Sequence, residues 1–258
     1  MKNTLLALSF VFLLTPVISE ANTGVVAQVG AKTLFGTLTS HFSRIHTLSY
    51  TAERTTKGRR QSTRERWTLS YEAPSLIRVD YQYPSERLLI ITTNALTEYI
   101  PALRRAIQTN LGNMSESERT AIIRQTLARI SLDGINPSNF QDMATRATSV
   151  SALSKTSEIY RITGANPKFV IDLDQQQRVL LTTDIYTAGG DLMLHTEASM
   201  FIEAGPGFWY PQLLKAGYLT EQGFVTTSAT LSTIKINNPL PEDTFQFTPP
   251  AHTTVEKR

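Results

Sequence analysis

From Leu48 to Thr109 the apolar residues recur at every second position, and this alternation constrains the fold more than any other feature of the chain. The segments "LSYTAERTT", "STRERWTLSYE", "SLIRVDYQY", "RLLIITT", "LTEYI" and "LRRAIQT" follow one another with short turns between them. Side chains two apart in a strand share a face, so each segment offers one side to a core and one to solvent. Parallel pairing needs a crossover of about a dozen residues or more, for which these connections leave no room. An antiparallel meander is therefore predicted.

Helical spacing appears on either side of this region. Leu34, Leu38, Phe42 and Ile45 predict an amphipathic helix between Gly24 and His46. Ser115 and Glu118 stand in the capping-box relation ahead of a stripe of Ile122, Ile123, Leu127 and Ile130, and Gly134, Asn136 and Pro137 stop that helix. A short helix is expected at 139–144. Strands then return in "EIYRITG", "KFVIDLD", "RVLLTTDIYT", "LMLHTEASMFI" and "FVTTSATLSTIKIN". Phe245 and Phe247, two apart before Pro249 and Pro250, predict a last strand with a buried face. No linker, low-complexity run or repeat divides the chain, so residues 22–258 read as one α+β domain. Its expected architecture is a long, curved antiparallel sheet with helices on one face.

The first residues read differently. Lys2 precedes an apolar run from Leu5 to Leu14, with Pro16 and Ser19-Glu20-Ala21 after it, and the run is too short to span a bilayer. Residues 1–21 are expected to be a secretory signal peptide, leaving Asn22 first and placing a soluble protein in the periplasm. There is no cysteine, which excludes both disulfides and lipid attachment through an N-terminal cysteine. Removal of Lys2 and Glu20 leaves the net charge at +3, too mild to argue for nucleic acid but compatible with weak attraction to anionic headgroups.

Reactive constellations are sparse. His41, His46, His195 and His252 lack metal-ligand spacing, and there is no P-loop or G-x-S-x-G elbow, so neither cofactor nor metal is expected. Asp172 and Asp174, followed by three glutamines, read as a solvated hairpin turn. "GPGFWYPQ" reads as a turn whose Phe208, Trp209 and Tyr210 cap a core or line a groove. Lys57, Arg59, Arg60, Arg64 and Arg66 surround Gly58, and two readings stay open: a solvated hairpin tip, or a surface for phosphates or an acidic partner.

Residues 71–111, "YEAPSLIRVDYQYPSERLLIITTNALTEYIPALRRAIQTNL", resemble the core of the periplasmic outer-membrane lipoprotein carriers, the LolA-like family. Pro74, Ile77, Val79, Pro84, Leu88 to Ile90, Leu96 and Tyr99 follow that family's order, and "TFQFTPPAHTTVE" resembles its ending. The resemblance implies an unclosed β-barrel with helices covering the concave face. It also implies an acylated lipoprotein or lipid as cargo, an inner-membrane donor, an outer-membrane acceptor and transient membrane contact. One position departs: the family's lid-latching arginine before the first proline is Ala73 here.

The function expected is therefore a non-enzymic periplasmic carrier that hides acyl chains in an apolar cavity. Strand parity nominates Trp67, Leu69, Tyr71, Ile77, Val79, Leu89, Ile91, Tyr99, Phe245 and Phe247 as its lining. The alternative is a lipid-sensing regulatory protein of the same fold that acts on a membrane-bound partner, with residues 112–165 as its partner surface.

Overall fold

The structure, a computed structural model, describes residues 30–58, 61–123, 140–154, 158–220 and 223–258, together with the backbone of 124–130. The expected signal peptide, Arg59, Arg60 and the side chains of Leu127 and Ile130 lie outside these residues.

The alternating region forms β1 (Thr47–Lys57), β2 (Ser62–Glu72), β3 (Leu76–Tyr83), β4 (Arg87–Ile91), β5 (Ala95–Ile100) and β6 (Arg105–Asn110). The later strands are β7 (Ala147–Ala152), β8 (Ile159–Gly164), β9 (Phe169–Asp174), β10 (Val179–Tyr186), β11 (Leu192–Gly205), β12 (Phe208–Thr220), β13 (Gly223–Ile236) and β14 (Thr254–Lys257). All join one sheet in the order β14-β6-β5-β4-β3-β2-β1-β13-β12-β11-β10-β9-β8-β7, which ends at β14 and β7 without closing. Only β14 on β6 is parallel. The long-range β1–β13 pairing, from Leu48–Ile236 to Lys57–Thr226, joins the two meanders.

Three strand assignments differ from the sequence expectation. "TFQFTPP" is a turn followed by extended chain outside the sheet, because the free edge of β6 is taken by Thr254–Lys257. The 244–247 segment instead crosses the side of the sheet where Arg78 donates to the carbonyls of Thr244 (3.0 Å) and Gln246 (3.5 Å). The Phe208 segment, read as a turn, is β12, paired with β11 on one side and β13 on the other. Pro211 is tolerated there because the β12–β13 ladder begins only at Leu213–Thr230, so its missing N–H removes no bond on that side. β7, which lacks apolar alternation, was not anticipated either.

Among the described residues three α-helices accompany the sheet: α1 (Ala31–Phe42), α2 (Glu116–Ile130) and α3 (Phe140–Arg146). The capping box forms at α2, where Glu118 Oε2 accepts the Ser115 N–H at 2.8 Å and Ser115 Oγ accepts the Glu118 N–H at 3.3 Å. α1 buries Leu34, Phe35, Leu38 and His41. It ends at Phe42, so Ile45, expected on its stripe, lies instead in the link to β1. Phe35 stacks on Phe140 of α3 at 5.6 Å, and the pair sits over Ile162, Phe169, Ile171 and Leu173. Gly164 makes this packing possible, since a Cβ there would stand 2.1 Å from the Phe169 ring.

Candidate functional site

Cross-strand register decides which side chains share a surface. Leu69 pairs Val79 and Val79 pairs Leu89; Tyr71 pairs Ile77, Ile77 pairs Ile91 and Ile91 pairs Leu96; Ala52 pairs Trp67 and Trp67 pairs Tyr81. These three transverse rows form one apolar wall across β1–β5. Leu111, Met114, and Ile122 and Ile123 from α2 pack against it. Trp67, Leu69, Ile77, Val79 and Ile91 are buried, while Tyr71 and Leu89 are half-buried. Burial of a side chain of this size contributes about 1.5–3 kcal/mol, which makes the wall a major part of the core.

Three of the expected lining residues lie elsewhere. Tyr99 pairs Leu88, whereas the wall residue Leu89 pairs Glu98, so Tyr99 points to the opposite face. Phe247 follows it there, with ring centroids 5.1 Å apart. Phe245 is half-buried in the same off-sheet segment and belongs to neither core cluster. β4 is apolar on both sides, with Leu88 and Ile90 buried on this outer face, and that defeats a parity argument carried across a turn.

The wall continues along the same face to the second cluster. Ile171, Thr183, Thr196, Ala216, Thr227 and Thr56 form one register row from β9 to β1, and Thr227 alternates with Ala229 and Leu231, whose partner Ala52 faces Trp67. All three helices thus lie on one face of the sheet. Between its two apolar patches runs a buried strip of hydroxyl and small residues, with the Thr56 and Thr227 hydroxyls 3.1 Å apart.

Polar groups reach the wall beside Tyr81 and beside Trp67: Arg87 lies 4.2 Å over the Tyr81 ring and reaches Glu98, the partner of Leu89, at 3.4 Å. Arg54 forks onto Glu65 Oε2 through Nε (2.9 Å) and a terminal nitrogen (2.6 Å), and its guanidinium lies 4.8 Å from the Trp67 ring. The Trp67 indole N–H is buried and has no hydrogen-bond partner among the described residues. A buried donor without an acceptor costs about 1–3 kcal/mol. Nearby, burial pushes the Tyr71 phenol up from its ordinary value. Tyr210, expected to cap a core or line a groove, does pack against this cluster with its ring 6.2 Å from that of Tyr50, which was not nominated although it alternates with Ala52 in plain sequence.

The remaining sequence candidates resolve into local pairings. Asp172 is not in a solvated turn: it is buried inside β9, where Arg161 holds both its oxygens at 2.8 Å. Asp174 does begin the turn, accepting the Gln177 N–H at 2.8 Å. His195 pairs Asp184 at 2.6 Å, and His41 stacks on Phe208 at 4.6 Å. Arg64 and Arg66 both reach Glu53, at 2.8 and 3.7 Å, in a shallow recess of about 300 Å³ that Tyr83 completes on the outer face. The Arg64 bond and charge hold the Glu53 carboxyl below its usual range. Among the described residues no group of three or more His, Asp or Glu could hold a metal ion, and no helix is long and apolar enough to cross a membrane. The position of the family's latch, Ala73, contributes only its backbone N–H, donated to the His46 carbonyl at 2.8 Å.

No family model matches the chain, and no curated protein matches it in sequence. Solved structures do match. A LolA superfamily protein from Nitrosomonas europaea superposes with a TM-score of 0.51 at 12% identity, over 85% of this chain and 98% of that one. A DUF1329 family protein from Desulfovibrio piger superposes with a TM-score of 0.52 at 10% identity, over 84% of this chain and 97% of that one. With its unclosed sheet, near-complete coverage of these structures and α1, α2 and α3 on one face, the chain has the LolA-like fold.

Proposed function

We propose that the protein is an exported, periplasmic carrier that binds the acyl chains of a lipid or lipoprotein between the apolar wall of β1–β5 and helix α2, without covalent chemistry. The observation that carries this reading is the buried Trp67 N–H, without an acceptor among the described residues, in a predominantly apolar wall whose charged groups, Arg54–Glu65 and Arg87–Glu98, are paired. An ester or amide carbonyl at the head of an acyl chain is the acceptor it lacks, while the chain itself matches Leu69, Val79 and Leu89. Each methylene transferred from water to such a surface is worth about 0.8 kcal/mol, so a single chain competes effectively for the site. α2 covers the wall through its Ile122 and Ile123 side chains, with Met114 from the loop before it, and not through a sheet ladder, which suits a cover that moves aside. The LolA-like fold, which the chain shares, agrees with this use of the helix-bearing face.

The chain has two tryptophans, Trp67 and Trp209, so a Trp209→Phe protein reports on Trp67 alone. Titrating it with a bromine-labelled fatty acid should quench that emission to saturation, and Leu89→Glu, at a half-buried wall position, should abolish the quenching. An unquenched Trp67, together with native mass spectra of gently purified protein that carry no lipid mass, would sink the proposal and turn attention to protein partners.

A further inference from the structure

Large apolar side chains are exposed very unevenly over this molecule. Antiparallel register sets the β1–β2, β3–β4, β5–β6, β10–β11 and β12–β13 turns at one end of the sheet. Eight of the ten exposed large apolar side chains among the described residues lie at that end. Tyr83 ends β3, Leu103 lies in the β5–β6 turn, Val255 stands beside Ala106 at the start of β6, and the other five sit on the neighbouring β10–β11 and β12–β13 tips. Leu219 and Phe224 face each other across the β12–β13 tip and are 48% and 46% exposed. Leu192 and Met193 lie alongside, because Leu194 pairs Tyr218. Apolar side chains clustered in this way on the neighbouring β10–β11 and β12–β13 tips mark an interaction surface.

Charge brackets these tips. On one flank Lys57 ends β1, exposed and in register with Thr226. On the other Lys168 precedes β9, exposed and 4.7 Å over the Tyr186 ring. The acid at the β10–β11 tip is Asp191, whose backbone N–H is tied to Thr187 Oγ1. Phe224 does not fold back into a core: its ring lies over Gly217, where a Cβ would stand 2.6 Å from it, and still presents its outer half to solvent.

We propose that this end of the sheet docks onto the surface of an anionic lipid bilayer, with Met193, Leu219 and Phe224 entering the headgroup layer and Lys57 and Lys168 facing lipid phosphates. Apolar tips between flanking cations are the arrangement that binds such a surface, since insertion and charge attraction add. Protein–protein interfaces are depleted in lysine relative to the rest of the surface, so the flanking Lys57 and Lys168 favour a lipid surface over a protein partner. Docking does not depend on the acyl-chain reading of the helix-bearing face, so either can fail alone.

The test is flotation of the chain from Asn22 onward, which contains every described element, with vesicles of phosphatidylcholine alone or mixed with phosphatidylglycerol. Binding is expected to the mixed vesicles and to weaken as salt rises. It should fall about tenfold both in the Leu219→Ser, Phe224→Ser protein and in the Lys57→Glu, Lys168→Glu protein. Leu153→Ser, exposed at the opposite end, should bind as the wild type, and circular dichroism checks that each variant is folded. Absence of binding, or equal loss in Leu153→Ser, overturns the proposal. So does a self-association that the tip variants abolish, which would make these tips a contact between copies of this chain.

Discussion

The Tyr99 and Phe247 rings meet 5.1 Å apart on the face of the sheet turned away from the helices. They pin the segment before β14, which Arg78 also holds by its bonds to the Thr244 and Gln246 carbonyls. Phe247→Ala should therefore cost stability, by about 1–2 kcal/mol from the lost ring contact and apolar area. It should leave fatty-acid quenching of Trp67 unchanged. Chemical denaturation and quenching on the same protein check both halves, and lost quenching in folded Phe247→Ala would contradict the placement of this ring outside the site.

Asn237 ties the chain after β13 to the link between α1 and β1, where the two meanders meet. Its Oδ1 accepts the His46 N–H at 2.7 Å and the Thr47 N–H at 3.4 Å, and its Nδ2 donates to the Arg44 carbonyl at 3.0 Å. Its φ of 57° lies in the left-handed region. Asn237→Ala loses the bonds and strains the backbone, whereas Asn237→Gly loses only the bonds. Thermal unfolding should rank wild type above Gly and Gly above Ala, with about 1 kcal/mol separating the two variants. The reverse order of the variants would show that the backbone angle is not a constraint.

Gly164 is required by its neighbour. Gly164→Val must push the Phe169 ring out from beneath α1 and α3, at a cost of about 1–3 kcal/mol. Adding Phe169→Leu should return part of that loss, because the smaller side chain gives the new methyls room. A double mutant that is fully additive in urea denaturation would place the strain elsewhere.

His41 gives the fold a dependence on mild acid. Burial, then the charges of Arg178 and Arg44, lower its pKa from the ordinary 6.5. The unfolded chain then binds this proton more readily than the folded one. Stability is full above 6.5 and is lost as pH falls from 6.5 toward the folded value. Urea unfolding at about pH 7.5 and about pH 5.5 should show a loss that His41→Leu does not share. The carboxyls of Glu53, Glu118 and Glu256, also lowered, act below their ordinary 4.5 and leave this window clear. Equal losses in both proteins would remove His41 as the cause.

Much of the architecture is written locally. The two-residue period of 48–109 determined six strands and their order, because short turns leave an alternating chain only its neighbour to pair with. Ser115 and Glu118 determined where α2 begins, since both bonds of the box form within one turn. The same parity placed Trp67, Leu69 and Tyr71 on one side of β2, and Ile77 and Val79 on one side of β3.

What parity cannot do is cross a turn. A shift of one residue inverts a strand, so only the observed β4–β5 register decided that Tyr99 faces away from Leu89. Tertiary contacts decided the rest in the same way. β12 is a strand, despite its glycine turn and Pro211, because β11 and β13 pair with it on both sides. Phe245 and Phe247 alternate as a strand would, yet Thr254–Lys257 fills the edge of β6. Alternation determines which residues can share a face, but a strand forms only where a partner edge is free, and that is a property of the assembled sheet.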